Sequence, residues 1–347
     1  MSKLAKTLQA AAGNAGEDKL YVDDVFSTYL YTGNESTQTI NNGIDLNGEG
    51  GLVWIKNRDT AQKHSLFDTE RGTGKLLSSN ANTGNSIDAT TLTAFNSNGF
   101  SIGAAPEVNR YLEKNASWTW RKSPKYFDIV TYTGNGSTQN ISHSLDSQPG
   151  CVMIKKTSGA GDWMIWHRGL SAGRYIRFTT AAQNNSFNDA YFGNGTTYVD
   201  PTSTQFTVGY GDLVNSNGAT FVAYVFAHDA GGFGDDGDQD VISCGSFTGD
   251  GSYADVVNLG YEPQLVILKR SSGASNWIIN DNMRGMTTQG GQIAQLYPNL
   301  SNSEGSGTGG AHPTATGFVA TGLAPAGQTY IYIAIRRPMK TPEAGTE

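Results

Sequence analysis

The chain has 347 residues, room for two or three domains, with 44 glycines, 16% charged residues and a formal net charge of −7. So acidic a chain offers no phosphate-binding surface, which sets nucleic acid aside as a partner, and no apolar run nears the roughly 20 residues that cross a bilayer. Asn, Thr and Ser crowd the segments between apolar runs, as in strands joined by turns rather than helices with charged outer faces.

The first element is a helix over residues 2 to 13: Leu4 and Leu8 lie four apart, Ala10, Ala11 and Ala12 favour the helix and Gly13 stops it. So short a helix is marginal alone in water and needs a surface to dock on, which makes Leu4 and Leu8 the candidate anchor residues. The apolar part of "MSKLAKTLQAAAGNAG" is broken by Lys6, Thr7 and Gln9 and makes a poor secretory signal, so an unprocessed, soluble product is expected. Residues 14 to 20 read as a link into a first strand near Val25.

From there the chain repeats itself. "YTGNESTQTI" at Tyr31 and "YTGNGSTQNI" at Tyr132 agree at eight of ten positions, and "CGSFTGDGS" is a degenerate third copy with Phe247 in place of Tyr. Each copy leads to an apolar run ending in lysine: "GLVWIK" to Lys56, "CVMIK" to Lys155 and "QLVILK" to Lys269. An Arg-Gly pair follows at Arg71, Arg168 and Arg284, then a Phe at Phe100, Phe206 and Phe318, then an aromatic-rich closing run, "SWTWRK", "FVAYVFAH" and "YIYIAIRRP". Three tandem units of roughly 100 residues result, the size at which a β-sandwich closes its own core. The expected organisation is a leader and linker over 1–24, units over 25–124, 125–232 and 233–338, and an extended tail over 339–347.

Within the units the period is two, so the fold class is all-β, with sandwich or jelly-roll repeats. "DWMIWH" and "NWIIND" follow Gly-Ala-containing turns and read as hairpin partners of the runs before them. "YIRFTT" alternates and reads as a further strand. The three lysines are expected at solvent edges, stems on apolar surface and heads in water.

The candidate chemistry is thin. "ERGTGK" at 70–75 lacks the first Gly and the final Ser or Thr of a phosphate loop. "GDDGDQD" places Asp236, Asp238 and Asp240 like the start of a calcium loop, but Val241 stands where Gly is needed, so the Asp235–Asp240 stretch reads first as a solvated linker. His64, His143, His167, His228 and His312 are dispersed, without metal-ligand spacing or a nucleophile motif. Cys151 and Cys244 sit in apolar runs and read as small buried residues rather than a disulfide. Trp54, Trp118, Trp120, Trp163, Trp166 and Trp277 could stack on sugars but lie on core-like strands, where large aromatics usually fill the interior. No acid pair for glycoside hydrolysis stands out, so the protein is read as a non-enzyme without cofactor or metal.

The words "YVDDVFSTYLYTGN", "NNGIDLNGEGGLVWIKNRD", "FDTERG", "TAFNSNGFSIG", "NWIINDNMRG" and "YIYIAIRRPMKTPEAGTE" resemble a repeat protein of tailed phages of marine and freshwater bacteria, cyanophages included. The resemblance covers nearly the whole chain. It implies a virion structural protein, often labelled tail fibre or lectin-like, built of concanavalin-like β-sandwich units and released by lysis. Under it the leader would dock on other virion proteins of tail or capsid, the loops would meet host-surface polysaccharide, and the protein would self-associate, as a trimer if it is a fibre. A capsid decoration protein or head fibre is the second reading and a glycan depolymerase the third. Such proteins carry no established catalytic residues, so none is transferred.

Overall fold

The computed structural model describes residues 19–183, 190–252, 254–288, 290–323 and 325–339. Leu4, Leu8 and the expected leader helix lie outside the described residues.

A helical turn, Val22–Val25, leads into an all-β body. Twelve principal strands make three four-stranded antiparallel sheets. The first holds β1 (Phe26–Thr32), β2 (Gly51–Asn57), β3 (Ser65–Asp68) and β4 (Lys114–Arg121). The second holds β5 (Phe127–Thr133), β6 (Cys151–Lys156), β7 (Met164–His167) and β8 (Thr220–Phe226), and the third β9 (Ile242–Thr248), β10 (Pro263–Arg270), β11 (Trp277–Asp281) and β12 (Thr329–Arg336). Their orders are the same: β1-β4-β2-β3, β5-β8-β6-β7 and β9-β12-β10-β11. The closing aromatic run of each unit is therefore a central strand, hydrogen-bonded to the unit's first strand on one side and to its lysine-ending strand on the other. "DWMIWH" and "NWIIND" do supply hairpin partners, β7 on β6 and β11 on β10. A smaller sheet faces each large one, and in each the repeated Phe pairs with an aliphatic residue: Ile40 opposite Phe100, Ile141 opposite Phe206, Val257 opposite Phe318.

The repeated Tyr-Thr-Gly-Asn phrase is a local lock. The Tyr31 hydroxyl donates to the Val108 carbonyl at 2.6 Å, and the Tyr132 hydroxyl to the Val214 carbonyl at the same distance. Asn109 and Asn215, next to those carbonyls, are fully buried, and each sends its amide nitrogen to the phrase's own asparagine, Asn34 or Asn135, and to the carbonyls of Ser36 and Gly103 or of Ser137 and Gly209. Only glycine fits between, since a Cβ on Gly33 would stand 2.0 Å from the Arg110 carbonyl oxygen and one on Gly134 2.3 Å from that of Ser216. In the third unit Phe247 has no hydroxyl and keeps only the stacking that Tyr132 also makes: it lies on Tyr330 at 5.3 Å between ring centroids, as Tyr132 lies on Phe221 at 5.2 Å.

The units do not close their cores separately. Along β2, Val53 and Ile55 join a core private to the first unit, whereas Leu52 and Trp54 point the other way into a cluster shared by all three. The third unit repeats this, Val266 and Leu268 facing inward and Leu265 and Ile267 facing the shared cluster. Period-two alternation thus sorts residues between two cores rather than between core and water, which is why β2, β3 and β7 are buried at every position. Trp118 and Trp120, Tyr224 and Phe226, and Ile333 and Ile335 line the shared core from the three central strands.

Burial corrects the reading of the lysines. Lys56, Lys155 and Lys269 do occupy equivalent registers, opposite Ala116, Val222 and Ile331, but the alternation that sends Trp54, Met153 and Ile267 to the shared core sends them there too, and all three are buried. "YIRFTT" is likewise not a strand. Apart from one bridge, Ile165 to Ile176, it is a loop whose Phe178 turns inward.

Candidate functional site

The three units grip one another in a closed ring. His64 and Trp163 stand immediately before β3 and β7, and Trp277 opens β11; each directs a ring nitrogen at a loop carbonyl of another unit. His64 Nε2 reaches the Tyr297 carbonyl at 3.0 Å, and Trp163 Nε1 and Trp277 Nε1 reach those of Ser78 and Arg177 at 2.9 Å. The His64 tautomer follows from its other contact: Nδ1 accepts from Trp54 Nε1 at 2.8 Å, so the proton sits on Nε2 and is donated. The accepting residues are equivalent, each one past the bridges Leu66–Leu77, Ile165–Ile176 and Ile279–Leu296. Unit one thus hands a loop to unit two, two to three, and three back to one.

A second ring repeats the sense. Asp68 of unit one accepts from Tyr224 of unit two at 2.8 Å, His167 of unit two meets the Tyr332 carbonyl of unit three at 3.0 Å, and Asp281 of unit three accepts from Trp118 of unit one at 2.9 Å. Both aspartates are held by buried arginines, Arg71 at 2.5 Å and Arg284 at 2.6 Å. The Arg-Gly repeat is less regular than it reads, for Arg168 follows His167 directly and has no aspartate three residues before it. Arg58 closes unit one onto unit three through Glu304 at 2.6 Å.

The lysines complete the clasps. Lys155 Nζ donates to the carbonyls of Ala81, from unit one, and Gly161; Lys269 Nζ donates to those of Thr180, from unit two, and Arg270. Lys56 Nζ caps Asn57 and Thr60. Burial lowers all three ammonium groups to about 8. It lowers His64 as well, and His167 to about 4, so both imidazoles are neutral clasps.

Where the loops converge, Phe178 sits against the tryptophans of all three units, its centroid 6.0 Å from Trp54, 5.6 Å from Trp163 and 5.0 Å from Trp277. The Ser79 hydroxyl donates to the Pro298 carbonyl beside it. Above this plug lies a depression of about 540 Å³ walled by residues 79–82 of unit one, Asp162 and 178–180 of unit two, and Asn299 and Leu300 of unit three. Asn80 and Asn299 are equivalent, their Oδ1 atoms capping the backbone N–H of His64 at 3.0 Å and of Trp277 at 2.9 Å. Asp162, the one carboxylate in the wall, is paired with Arg177 at 2.7 Å.

The chain enters and leaves at the other end. Phe26 opens β1 opposite Trp120 and Arg336 ends β12 opposite Pro263, both at the far ends of strands whose lysine ends hold the loops. The two ends touch there, the Met339 N–H donating to Asp23 at 3.2 Å. Four strand steps in the first unit, Leu52 to Lys56, and six in the third, Pro263 to Lys269, separate these ends from the lysines that hold the loops, about 13–20 Å.

None of the six tryptophans is a surface platform, since every one is buried. Cys151 and Cys244 are free and buried. In the acidic linker Asp235 is taken by Lys19 and Tyr21, Asp240 caps the Gly231 N–H, and Asp236 and Asp238 are exposed. Among the described residues no three His, Cys, Asp or Glu side chains are grouped to hold a metal ion, and no helix is long and apolar enough to cross a membrane. The loop sites went unseen because "LSSNAN", "IRFTTA" and "LYPNLS" share only a leading aliphatic residue, with Asn80 and Asn299 matching in two of the three, and they start at unequal distances after their hairpin partners, a pattern too weak to read alone.

Fold and site together define an all-β protein of antiparallel sheets that share a central core, with a depression walled by three loops. The chain belongs to the family described as Domain of unknown function (DUF7483), whose model matches residues 22–338, all three units at once. No curated protein matches it.

Proposed function

We propose that this is a virion structural protein of a tailed bacteriophage, a tail-associated receptor-binding module attached through its N-terminal side and presenting its loops to host-surface glycans. The observation that carries the reading is polarity. The chain enters and leaves the body at one end, beside Asp23 and Met339, while the three-loop depression occupies the opposite end. An attached adhesin needs that arrangement, because the anchored end is then removed from the contacting end by the length of the body. The resemblance of the repeated words to phage tail-fibre and lectin-like proteins supplies the setting, in which lysis releases the protein.

Self-association as a trimer belongs to the same reading and rests on the resemblance. Light scattering at micromolar concentration tests it, and a monomer counts against it. The decisive experiment is location. Antibody labelling and mass spectrometry of separated tail and head fractions should find the protein with the tail. Recovery with the capsid would replace this reading by decoration or head-fibre function, and absence from both fractions would end it. Deleting residues 2–16 should abolish incorporation while moving the melting temperature by no more than a few degrees.

A further inference from the structure

We infer that the three-loop depression is the seat of a neutral oligosaccharide, an inference that rests on the glycan-binding reading above and gives it a place and a ligand class. Its volume of about 540 Å³ is in the range of roughly 300–1,000 Å³ typical of small-ligand sites. Its chemistry is that of polyol recognition: an apolar lining of Ala81, Leu300 and the edge of Phe178, ringed by amides and hydroxyls from three separate segments. Several of these groups are uncommitted. The Asn80 amide nitrogen, the Asn82 side chain and the Thr180 hydroxyl make no hydrogen bond within the described residues, and Asn82 and Thr180 are exposed on the rim. Free donors beside an apolar lining suit a sugar, whose hydroxyls need partners on its edges and whose ring faces shed water.

Charge narrows the class. The nearest cations are all engaged: Lys155 and Lys269 point their ammonium groups at loop carbonyls, and Arg177 is paired with Asp162. A uronic or sialic acid would therefore enter a site with, among the described residues, no free cation and one carboxylate in its wall, and would leave its own charge unpaired. The three walls descend from equivalent positions but carry Asn80, Thr179 and Asn299, so the seat presents three different edges and admits a chain in one orientation.

The test uses the full-length protein and titrates it with maltotriose, cellotriose, triacetylchitotriose and, as the charged comparison, trigalacturonate. Binding is read by calorimetry and by tryptophan emission, which reports through the contacts of Phe178 with Trp163 and Trp277. At least one neutral trisaccharide should bind, about tenfold more weakly to the Asn82→Ala, Thr180→Ala double variant, the loss expected from about 1.4 kcal/mol. Ala81→Trp, which fills the depression from its rim, should abolish binding at an unchanged melting temperature. Failure of all three neutral probes, tighter binding of trigalacturonate, or binding indifferent to both variants would overturn the inference. Host-cell adsorption equal for wild type and Ala81→Trp would overturn the three-loop seat while leaving the attachment reading intact; trisaccharide binding by a protein absent from virions would do the reverse.

Discussion

At the scale of single residues, the buried lysines and histidines make stability rise with pH in two separate windows. Each lysine titrates near 8 in the fold against an ordinary 10.5, so between those values the unfolded chain binds more protons and stability rises with pH. Below pH 8 the cost of burying the charge is fully present. The raised thiols Cys151 and Cys244 oppose the gain from about pH 9 and raised tyrosines such as Tyr132 and Tyr224 above pH 10, which leaves pH 8–9 as the clean interval. Lys155→Met should lose on the order of 1 kcal/mol of that gain, read as a shallower rise of denaturation midpoint with pH; an unchanged slope would show that Lys155 does not titrate as a buried group. His167 behaves as the depressed case at lower pH. Its contribution is whole above about 6.5 and is lost as pH falls toward 4. His167→Gln should flatten the acid limb between those values, and a limb as steep as wild type would move the acid sensitivity elsewhere.

At the scale of elements, the repeated phrase is best understood through what it holds. Tyr132→Phe removes one hydroxyl from the Val214 carbonyl and should cost about 1 kcal/mol; the third unit already lives with Phe247 at that place. Asn215→Ala is a different change. It strands the carbonyl of buried Gly209, while the exposed Asn135 and Ser137 can turn to water, so a loss of about 2–3 kcal/mol is expected, from one unmet acceptor and the lost bonds to the phrase. Equal midpoints for the two variants in urea would mean that the asparagine is not the keystone of the phrase. The loops behave similarly as elements, their positions being set by carbonyls that three ring nitrogens and two lysines grip from neighbouring units.

At the scale of the whole molecule, the ring of clasps and the shared core make the three units one cooperative body. A first unit cut out as residues 25–124 would expose Leu52, Trp54, Leu66, Trp118 and Trp120. At about 1.5–3 kcal/mol for each large side chain, that is on the order of 10 kcal/mol, comparable with the whole stability of a domain. The isolated unit should therefore fail to give dispersed amide signals by NMR, and a folded, monomeric unit would refute the shared-core account. Joined termini are tolerated by the same geometry. Because Asp23 and Met339 already touch, a circular permutant opened in the linker near Gly237 should keep a single unfolding transition.

What the sequence determined by itself is whatever local pattern encodes: the all-β class, the threefold repetition of landmarks, and the hairpin partners after "TSGAGDW" and "SSGASNW". Lys56, Lys155 and Lys269 also stand in one register, as their shared place after an apolar run implies. Tertiary structure alone decided which way that register faces. Alternation places Trp54 and Lys56 on the same side of β2, but whether that side meets water or another unit depends on how the sheets associate, and no period within one strand carries that information. The loop carbonyls of Ser78, Arg177 and Tyr297 are the same case. Any residue supplies a carbonyl, so nothing in their side chains marks them, and they become grips only because the chain returns its third unit to the side of its first.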